Sequence, residues 1–518
     1  MKKSFYITIL IFVPSFLFAQ SPGSNVFSYP GIHDLYLTFT QQNFWDSLQI
    51  YKDEGDITGE YTYMPATINL DGTVLDSVGV RLKGNSSYMT PGIKKSIKLD
   101  FNEFVSGQKL DGLKKVNLNN NFNDPTLMRE HLFLDVLGNI GVNAPRCVYT
   151  RVYINNVYWG LYNMADHVDK VFLKSRYYVD TGNLYKGDKE PWMTCANLSY
   201  HPDPMEYRNC YTLETNEDID DWSDLVNLID VINNTPPSIY NSSLKDVLNT
   251  TSFIDAWAAN IVFVNVDSYV ETGHNYYIYH NPVNDKFEWI SWDVNEAFGL
   301  WNVGMPLDQL YNLDIFYMPG NPQFDRPLTY YMLQDSLFRK QYTDKLYELV
   351  CNEFKPSKLF TKIDSLYNLI RTDVYADTNK IIGNTFFEEN IDNDVEIQGY
   401  PGWVPGLKKF VQDRRDTLIS QLEAIGYVFS GIDRIGKTTA ELHIFPNPAA
   451  DHVNIGLPGK DISAGNVAIF SSTGELLKSF SYKSGSSIEI DCSGFPAGLF
   501  FVKITGEGKS YAGKFIRQ

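Results

Sequence analysis

The sequence lacks the short motifs that mark the commonest hydrolases. Its 8 histidines form no H-E-x-x-H pair, so a zinc protease of that type is not indicated. It has no G-x-S-x-G string, which argues against a nucleophile-elbow serine hydrolase. An acidic, aromatic-rich chain remains compatible with paired carboxylates for glycoside hydrolysis.

Positive charge is scarce. Lys and Arg number 44 against 62 Asp and Glu, which leaves a formal net charge of -18. Such a chain has no general attraction to nucleic acid. The 518 residues are enough for two or more domains, and 43% hydrophobic with 20% charged residues is an ordinary globular composition.

Long hydrophobic runs are missing after the first 20 residues. Lys2 and Lys3 precede the apolar stretch Ile7 to Phe18, and Ala19 follows as a small residue. This pattern predicts a secretory signal peptide over 1–20, with an uncleaved anchor as the alternative. No transmembrane span is expected in the mature chain.

Cysteines are few and widely spaced. The 5 positions are 147, 195, 210, 351 and 492, and this spacing predicts neither a metal knuckle nor a disulfide framework. Cys195 and Cys210 flank a loop-like stretch, so a disulfide and two buried thiols both remain open for them.

Strand patterns dominate residues 30–165 and helical patterns dominate after residue 220. Within the first part, a helix is predicted from Asp124 as N-cap, and a hairpin with Asn155-Asn156 at its turn. Strands followed by helices predict an α+β arrangement with two lobes.

The C-terminal segment changes character. Short alternating runs from Glu441 onward predict a small all-β sandwich, with 431–440 as a linker. The strings FPNPAADHVNI, IFSSTGELL, GFPAGLFFVKI and KSYAGKFIRQ resemble the C-terminal sorting domain of the type IX (Por) secretion system of Bacteroidetes. The resemblance covers 441–518 and implies outer-membrane translocation by that machinery, then release or surface attachment.

A local basic cluster stands out in the acidic chain, in RLKGNSSYMTPGIKKSIKLDF. A strand delivers Arg81 and Lys83 to a turn with Gly84 and Ser86, and a second strand brings Lys98. Such a turn can point backbone N–H groups at a phosphate while the lysines add positive charge. Ordinary turn chemistry on a charged strand face is the alternative. Glu130, on the predicted helix, is a candidate to hold Lys98 in position.

Oxygen ligands gather in two later stretches. A predicted helix ends near Asp267, Asn275 precedes a strand, and the next strand ends at Asp293 with Asn295 nearby. We expect a β-hairpin whose ends bring Asp267, Asn275 and Asp293 into one cleft. Oxygen donors of this kind suit Mg²⁺.

Residues from about 30 to 425 resemble the CotH family, the spore coat protein H-like atypical kinases. The strings that carry the resemblance are RLKGNSS, KKSIKLDF, LDGLKKVNLNNNFNDPTLMREHL, GNLYKGD, YTLETNE, DSYVETGHNYYIYHNP and WISWDVNEAFG. The resemblance implies a divergent, bilobal protein-kinase-like domain, assigned to 21–430. It also implies phosphorylation of Ser or Thr on secreted or surface proteins with ATP and Mg²⁺, or Mn²⁺ in its place.

The resemblance implies a role for each matching residue. Asp267 is the catalytic Asp and Lys98 the phosphate-contacting lysine, with Asp293 as metal ligand. The other residues expected to contact ATP are Arg81, Lys83, Gly84, Ser86 and Glu130, and those expected to bind the metal are Asn275 and Asn295. Two positions depart from the family pattern, because Asp166 stands where Glu is expected and Asn295 where Asp is common.

A second function class stays open at this stage. The chain is predicted to be exported, and ATP is scarce outside cells, so a structural or adhesive surface protein on a kinase-like scaffold is the alternative. The sequence names neither the phosphate acceptor nor the source of ATP nor the oligomeric state. Convergence of Lys98, Asp267 and Asp293 in one cleft favours chemistry, and their dispersal favours adhesion.

Overall fold

The computed structural model describes residues 21–187, 195–302, 304–399, 401–429, 442–456, 464–483, 487–506 and 509–518. The predicted signal peptide over 1–20 and the predicted linker over 431–440 lie outside the described residues. In the described part of the chain, no helix is both long and apolar enough to cross a membrane.

A closed barrel forms the N-terminal part. Its strands are β1 (His33–Thr38), β2 (Met64–Leu70), β3 (Thr73–Lys83), β4 (Ser96–Asp100), β5 (Lys115–Asn119), β6 (Cys147–Ile154) and β7 (Val157–Asp166). Their spatial order is β1-β2-β3-β4-β5-β7-β6, and β1 closes the ring by pairing in parallel with β6. Alternate residues such as Val78, Val80 and Leu82 are fully buried inside the ring, as the two-residue period of a strand requires.

Most of the helices in the described residues lie between the barrel and the C-terminal segment. Four lie within or beside the barrel: α1 (Ser24–Phe27), α2 (Phe44–Thr58), α3 (Ser86–Met89) and α4 (Arg129–Asn139). The others are α5 (Lys170–Tyr177), α6 (Tyr207–Cys210) after a 3-10 turn at Pro204–Glu206, α7 (Ser223–Asn234), α8 (Tyr240–Val247), α9 (Thr250–Val262), α10 (Leu307–Tyr311), α11 (Pro322–Asp325), α12 (Pro327–Gln334), α13 (Ser336–Asn352), α14 (Pro356–Ala376), α15 (Asn384–Glu389) and α16 (Leu407–Ala424).

A four-stranded sheet lies among these helices. It contains β8 (Leu184–Lys186), β9 (Thr212–Leu213), β10 (Tyr276–Asn281) and β11 (Lys286–Ser291), in the order β11-β10-β8-β9. A two-stranded ribbon follows, formed by β12 (Val395–Glu396) and β13 (Trp403–Val404). One apolar core runs from α4 to α16 and joins these helices to the sheet.

The C-terminal segment is all-β, as predicted. Its strands are β14 (His443–Phe445), β15 (His452–Gly456), β16 (Ala464–Ser471), β17 (Leu476–Lys483), β18 (Ser487–Asp491), β19 (Gly498–Gly506) and β20 (Lys509–Arg517). They form two sheets, β14-β15-β18 and β17-β16-β19-β20, which share one apolar core. The sheets therefore pack as a sandwich.

The helix predicted from Asp124 begins later than expected. Helix α4 starts at Arg129, and Leu127 has a φ of +58°, which no helix accommodates. The Asp124 carboxylate instead accepts hydrogen bonds from the backbone N–H groups of Thr126, Met128 and Arg129. Asp124 therefore organises a buried loop in front of the helix. The Asn155-Asn156 hairpin turn between β6 and β7 is present as predicted, with both residues at positive φ.

A disulfide joins Cys195 and Cys210, which resolves the alternative left open by the sequence. Their Cα atoms are 5.2 Å apart, a normal spacing for a disulfide. Cys147, Cys351 and Cys492 remain thiols.

A buried ion pair ties the barrel to the helices. Lys94, just before β4, lies 2.6 Å from the carboxylate of Asp377, just after α14, and their side chains are 1% and 0% exposed. The same carboxylate accepts a hydrogen bond from the backbone N–H of Leu161 on β7. Removing either partner of such a pair is costly, because it leaves the other charge buried and uncompensated.

The pair predicts a large and asymmetric cost of mutation. Asp377→Asn leaves Lys94 buried without its counter-charge, so the free energy of unfolding should fall by about 3 kcal/mol in urea denaturation. Lys340→Ala, which breaks an exposed pair with Asp344, is the control and should cause no measurable change. Equal effects from the two substitutions would contradict the buried-pair account.

Candidate active site

The outer face of the barrel presents a row of polar side chains to the helical region. Because Val78, Val80 and Leu82 point inward, Arg81 and Lys83 on β3 point outward. Strand pairing places Lys98 on β4 directly opposite Arg81, and Asn117 on β5 opposite Lys98. The sheet therefore gathers the predicted basic residues on one face.

Glu130 on α4 is the centre of a hydrogen-bonded network on this face. Asn119 donates to one of its carboxylate oxygens at 2.6 Å, and Asn163 on β7 donates to the other at 2.9 Å. The ammonium group of Lys83 donates to the amide oxygen of Asn119 at 2.8 Å. Lys83 is thus linked to Glu130 through Asn119.

This network differs from the predicted Lys98–Glu130 pair. In the described contacts, Lys83 is the basic residue that lies close to Glu130. Lys98 makes no hydrogen bond within this network. Lys98 lies one row away, where the charges that act on it are those of Arg81, Lys115, Glu214 and Lys83. Burial, followed by the positive charge of Arg81, lowers the pKa of Lys98 to about 7.

Burial sets the charge state of the network. It raises the pKa of Glu130 to about 7, against the hydrogen bond from Asn163, and the negative charge of Asp293 adds to the rise. Burial also lowers the pKa of Lys83, which the negative charges of Asp293 and Glu130 oppose. Asp293 is therefore close enough to act electrostatically on both barrel residues.

The β10–β11 hairpin brings the predicted acidic and amide residues together. Tyr276 pairs with Ser291, so Asn275 and Trp292 are adjacent just beyond the strand ends, and the Trp292 N–H donates to the Asn275 carbonyl. The side-chain amide of Asn275 donates to the Asp267 carboxylate at 3.1 Å. On the other side, His274 Nε2 lies 2.9 Å from Asp267 Oδ1.

Backbone conformation at the two ends of this hairpin is unusual. Asn275 has a φ of +61° and Asp293 a φ of +51°, in the left-handed region that costs energy for residues other than glycine. Asn and Asp tolerate this region better than other residues do. Such conformations concentrate at functional sites, where the surrounding structure holds them.

Trp292 connects the two halves of the site. The Lys83 ammonium group lies 5.5 Å from the centre of the Trp292 ring, within range of a cation–π interaction. Trp292 immediately precedes Asp293. Lys83 and Glu130 on the barrel side therefore lie within electrostatic range of Asp293, and Asp267 is linked to the base of the hairpin through Asn275.

A buried glutamate completes the acidic side. Glu296 is 4% exposed, and Asn295 and Asn123 donate to its Oε1 at 3.1 and 3.4 Å. Its Oε2 has no hydrogen-bond partner within the described part of the chain. Burial and the charges of Asp267 and Asp293 raise the pKa of Glu296 well above its usual range. A buried orphan carboxylate oxygen is a place for a proton or a cation.

The donor set fits a hard divalent cation. In the described ranges, no three His, Cys, Asp or Glu side chains form a ready-made metal cage. Asn275 and Asn295 use their amide N–H groups on Asp267 and Glu296, so the amide oxygens are the atoms left for a ligand. Carboxylate and amide oxygens are the donors Mg²⁺ prefers, alongside retained waters.

The predicted phosphate loop lies at the end of β3. Gly84 has a φ of +93°, and a Cβ there would meet the Ser87 hydroxyl, so the turn requires glycine. Ser86 begins α3 and is exposed.

Asp166, the departure from the family pattern, is buried and pairs with Arg146 at 2.7 Å, apart from the Glu130 network.

Sequence reasoning missed several residues of the site. Sequence patterns assign no role to four residues that the structure brings into the site: Asn119, Asn163, His274 and Glu296. The one local signal is an Asn within the mostly apolar run GLYNMA. Their roles depend on contacts between distant segments, which no local pattern reveals.

Comparison with known families gives the class. The family model described as CotH kinase protein matches residues 80–418. That match covers well over half of the sequence, so the chain belongs to the CotH family. A second model, the secretion system C-terminal sorting domain, matches residues 443–518. The chain is therefore exported by type IX secretion to the cell surface or beyond.

Curated relatives come from Bacillus subtilis and Rhizopus delemar. The chain is 27% identical over 326 residues to inner spore coat protein H of Bacillus subtilis, across 61% of this chain and 83% of that protein. It is 23% identical over 352 residues to Invasin CotH3 of Rhizopus delemar, and this match covers 65% of this chain and 57% of that protein. It is also 23% identical over 276 residues to Invasin CotH2 of Rhizopus delemar, and this match covers 49% of this chain and 43% of that protein. The chain thus spans about half the length of the two invasins.

Glu130 predicts a specific pH dependence of stability. A carboxyl group whose pKa rises from 4.5 to about 7 on folding stabilises the fold fully below the lower value. That contribution is lost as the pH rises through the higher value. In protein stripped with a chelator, Glu130→Gln should remove about 3 kcal/mol of the stability difference between about pH 5 and about pH 8.

Urea unfolding at both pH values measures this difference. Glu475→Gln, an exposed carboxylate in the C-terminal sandwich, is the matched control and should keep the wild-type profile. If Glu130→Gln showed the same change in unfolding free energy between the two pH values as the wild type, Glu130 would already be ionised in the folded protein.

Proposed function

We propose that the chain is a secreted atypical protein kinase. It transfers the γ-phosphate of ATP to Ser or Thr of a secreted or surface protein, with Mg²⁺ or Mn²⁺ as the metal. The single observation that supports this proposal is that Lys83 lies 5.5 Å from the centre of the Trp292 ring, with Lys83 and Glu130 both within electrostatic range of Asp293, the residue after Trp292. The divergent bilobal kinase-like fold is part of the same proposal, with the barrel and α4 as one lobe and the helical region as the other.

The barrel side would hold the nucleotide phosphates. Glu130 and Asn119 fix the Lys83 ammonium group, so Lys83 is the best placed lysine for a phosphate. Arg81 and Lys98 add positive charge in the next row, and the turn with Gly84 and Ser86 supplies backbone N–H groups. In this proposal Lys83, and not Lys98, is the main phosphate-contacting lysine.

The hairpin side would orient the acceptor. Asn275 and His274 hold the Asp267 carboxylate from two sides, which leaves it positioned to accept the proton of a Ser or Thr hydroxyl. Asp293, Asn275 and Asn295 would hold the divalent cation. A bound Mg²⁺ supplies charge neutralisation between the phosphates. The rate gain then comes from positioning and electrostatic stabilisation.

A structural or adhesive surface protein is the second candidate. Two relatives are named invasins, and the chain carries a sorting domain for export. Membership of a family does not establish activity, since one fold can host unrelated functions. An adhesive role alone, however, provides no reason for Glu130 and Glu296 to be buried beside Asp293.

Phosphate transfer from labelled ATP tests the proposal. The full chain should incorporate label into itself or into an acidic acceptor protein in the presence of Mg²⁺. Asp293→Ala should lower incorporation by about 100-fold, because it removes the carboxylate proposed to hold the cation. Asp285→Asn, an exposed carboxylate in the hairpin turn, is the control and should retain activity. No incorporation by the wild type, together with no Mg·ATP binding in calorimetry, would leave the adhesive candidate.

A pair of lysine variants tests the reassignment. Lys83→Met should reduce kcat/KM for ATP at least about tenfold more than Lys98→Met, because only Lys83 is held by the Glu130 network. Steady-state kinetics with varied ATP gives both values. The opposite ranking would restore Lys98 as the phosphate-contacting lysine.

A further inference from the structure

The loop that carries Asp267 is held at both ends by buried tyrosines. Tyr269 follows Asp267 by two residues and Tyr276 follows Asn275 directly, and they are 2% and 1% exposed. Their rings and that of Trp289 pack together, with centroid distances of 5.8 Å between the tyrosines and 4.1 Å from Tyr276 to Trp289. The loop position therefore depends on where these two side chains are anchored.

Both tyrosine hydroxyls are anchored on one distant segment. The Tyr276 hydroxyl donates to the Ala196 carbonyl at 2.6 Å, and the Tyr269 hydroxyl donates to the Asn197 carbonyl at 3.1 Å. These carbonyls belong to the two residues that follow Cys195. The hydroxyls would lose their acceptors if this segment moved, and a buried hydroxyl without a partner is costly.

The other end of the disulfide joins the same network. Tyr211 follows Cys210, and its hydroxyl accepts the Leu198 N–H at 3.1 Å and lies 3.3 Å from the Tyr276 hydroxyl. The residues after both cysteines thus contact Tyr276. The disulfide closes a segment with 15 residues of sequence separation, in which regular structure is limited to one 3-10 turn and the four-residue α6.

Such a segment depends on its cross-link for order. Closing a loop removes much of the conformational freedom that irregular backbone would otherwise regain. The barrel side of the site has no such dependence. Within the described contacts, the network of Lys83, Asn119, Glu130 and Asn163 joins β3, β5, α4 and β7 without using residues 195–211.

We propose that the Cys195–Cys210 disulfide is a positioning element for Asp267, so that phosphate transfer requires the oxidised protein. This inference rests on the proposed function. Formation of the S–S bond releases two protons and two electrons, which a disulfide-bearing oxidant takes up as it becomes a dithiol. A dithiol reductant reverses the step. Because disulfides form in extracytoplasmic compartments, activity would appear only after the chain leaves the cytoplasm.

The test compares oxidised, reduced and re-oxidised full chain with Cys195→Ser/Cys210→Ser. Reduction and the double substitution should each lower kcat by about 100-fold, because Asp267 is displaced. The KM for ATP should stay within about twofold, because the barrel network is intact. Re-oxidation should restore the wild type and leave the double variant unchanged. Cys351→Ser is the control and should behave as the oxidised wild type does.

Hydrogen exchange provides a readout that does not need activity. Amides of residues 265–276 should exchange faster after reduction, while those of β4 and β5 should not change. Unchanged kcat and unchanged exchange on reduction would overturn the proposal. If the oxidised wild type transfers no phosphate, the proposed function fails, and the exchange result still decides whether the disulfide positions the loop.

Tyr276→Phe covers the case in which the reduced protein unfolds. It removes only the hydroxyl that bonds Ala196 and leaves the ring packing on Trp289. The variant should keep its disulfide and its barrel while kcat falls about tenfold with little change in the KM for ATP. Wild-type kcat and wild-type exchange of residues 265–276 in this variant would also overturn the proposal.

Discussion

The register of the β10–β11 hairpin is the constraint on which the site depends. Tyr276 faces Ser291, and this pairing alone places Asn275 beside Trp292 at the open end of the hairpin. A shift of one residue would turn every side chain of the strand to the opposite face. Trp292 would then no longer lie beside Asn275 or present its ring to Lys83. Packing of Tyr276 on Trp289 helps to hold this register.

Charge is the second organising feature of the candidate site. Asp267, Asp293 and Glu296 lie within electrostatic range of one another, and Lys83 and Glu130 face them from the barrel. Such a concentration of acid is unfavourable without cations or protons, so part of it is stabilised by protonation at the raised pKa values of Glu130 and Glu296. The same imbalance favours binding of a divalent cation together with an anionic nucleotide. The site therefore combines features that oppose folding and favour ligand binding.

Much of this arrangement follows from local sequence patterns. Alternation in VGVRLK predicts that Arg81 and Lys83 share the outer face, and the two runs around the 281–286 turn predict the hairpin that gathers Asp267, Asn275 and Asp293. The choice between Lys83 and Lys98 could not be made in this way, since both point outward from adjacent strands. It depends on where α4 places Glu130. The late start of α4 likewise depends on the buried contacts of Asp124, and the disulfide depends on the folded path that brings Cys195 and Cys210 together.

In the proposed function, barrel and hairpin side chains form a single site for a metal-bound nucleotide. The decisive measurement is a double-mutant cycle of Lys83→Met and Asp293→Asn, read out as the calorimetric Kd of the full chain for Mg·ATP. Residues that act on one ligand across a cleft should show a coupling free energy of about 1 kcal/mol or more. Strict additivity of the two substitutions, with each variant still binding Mg·ATP, would show that the two sides do not act together and would contradict the account.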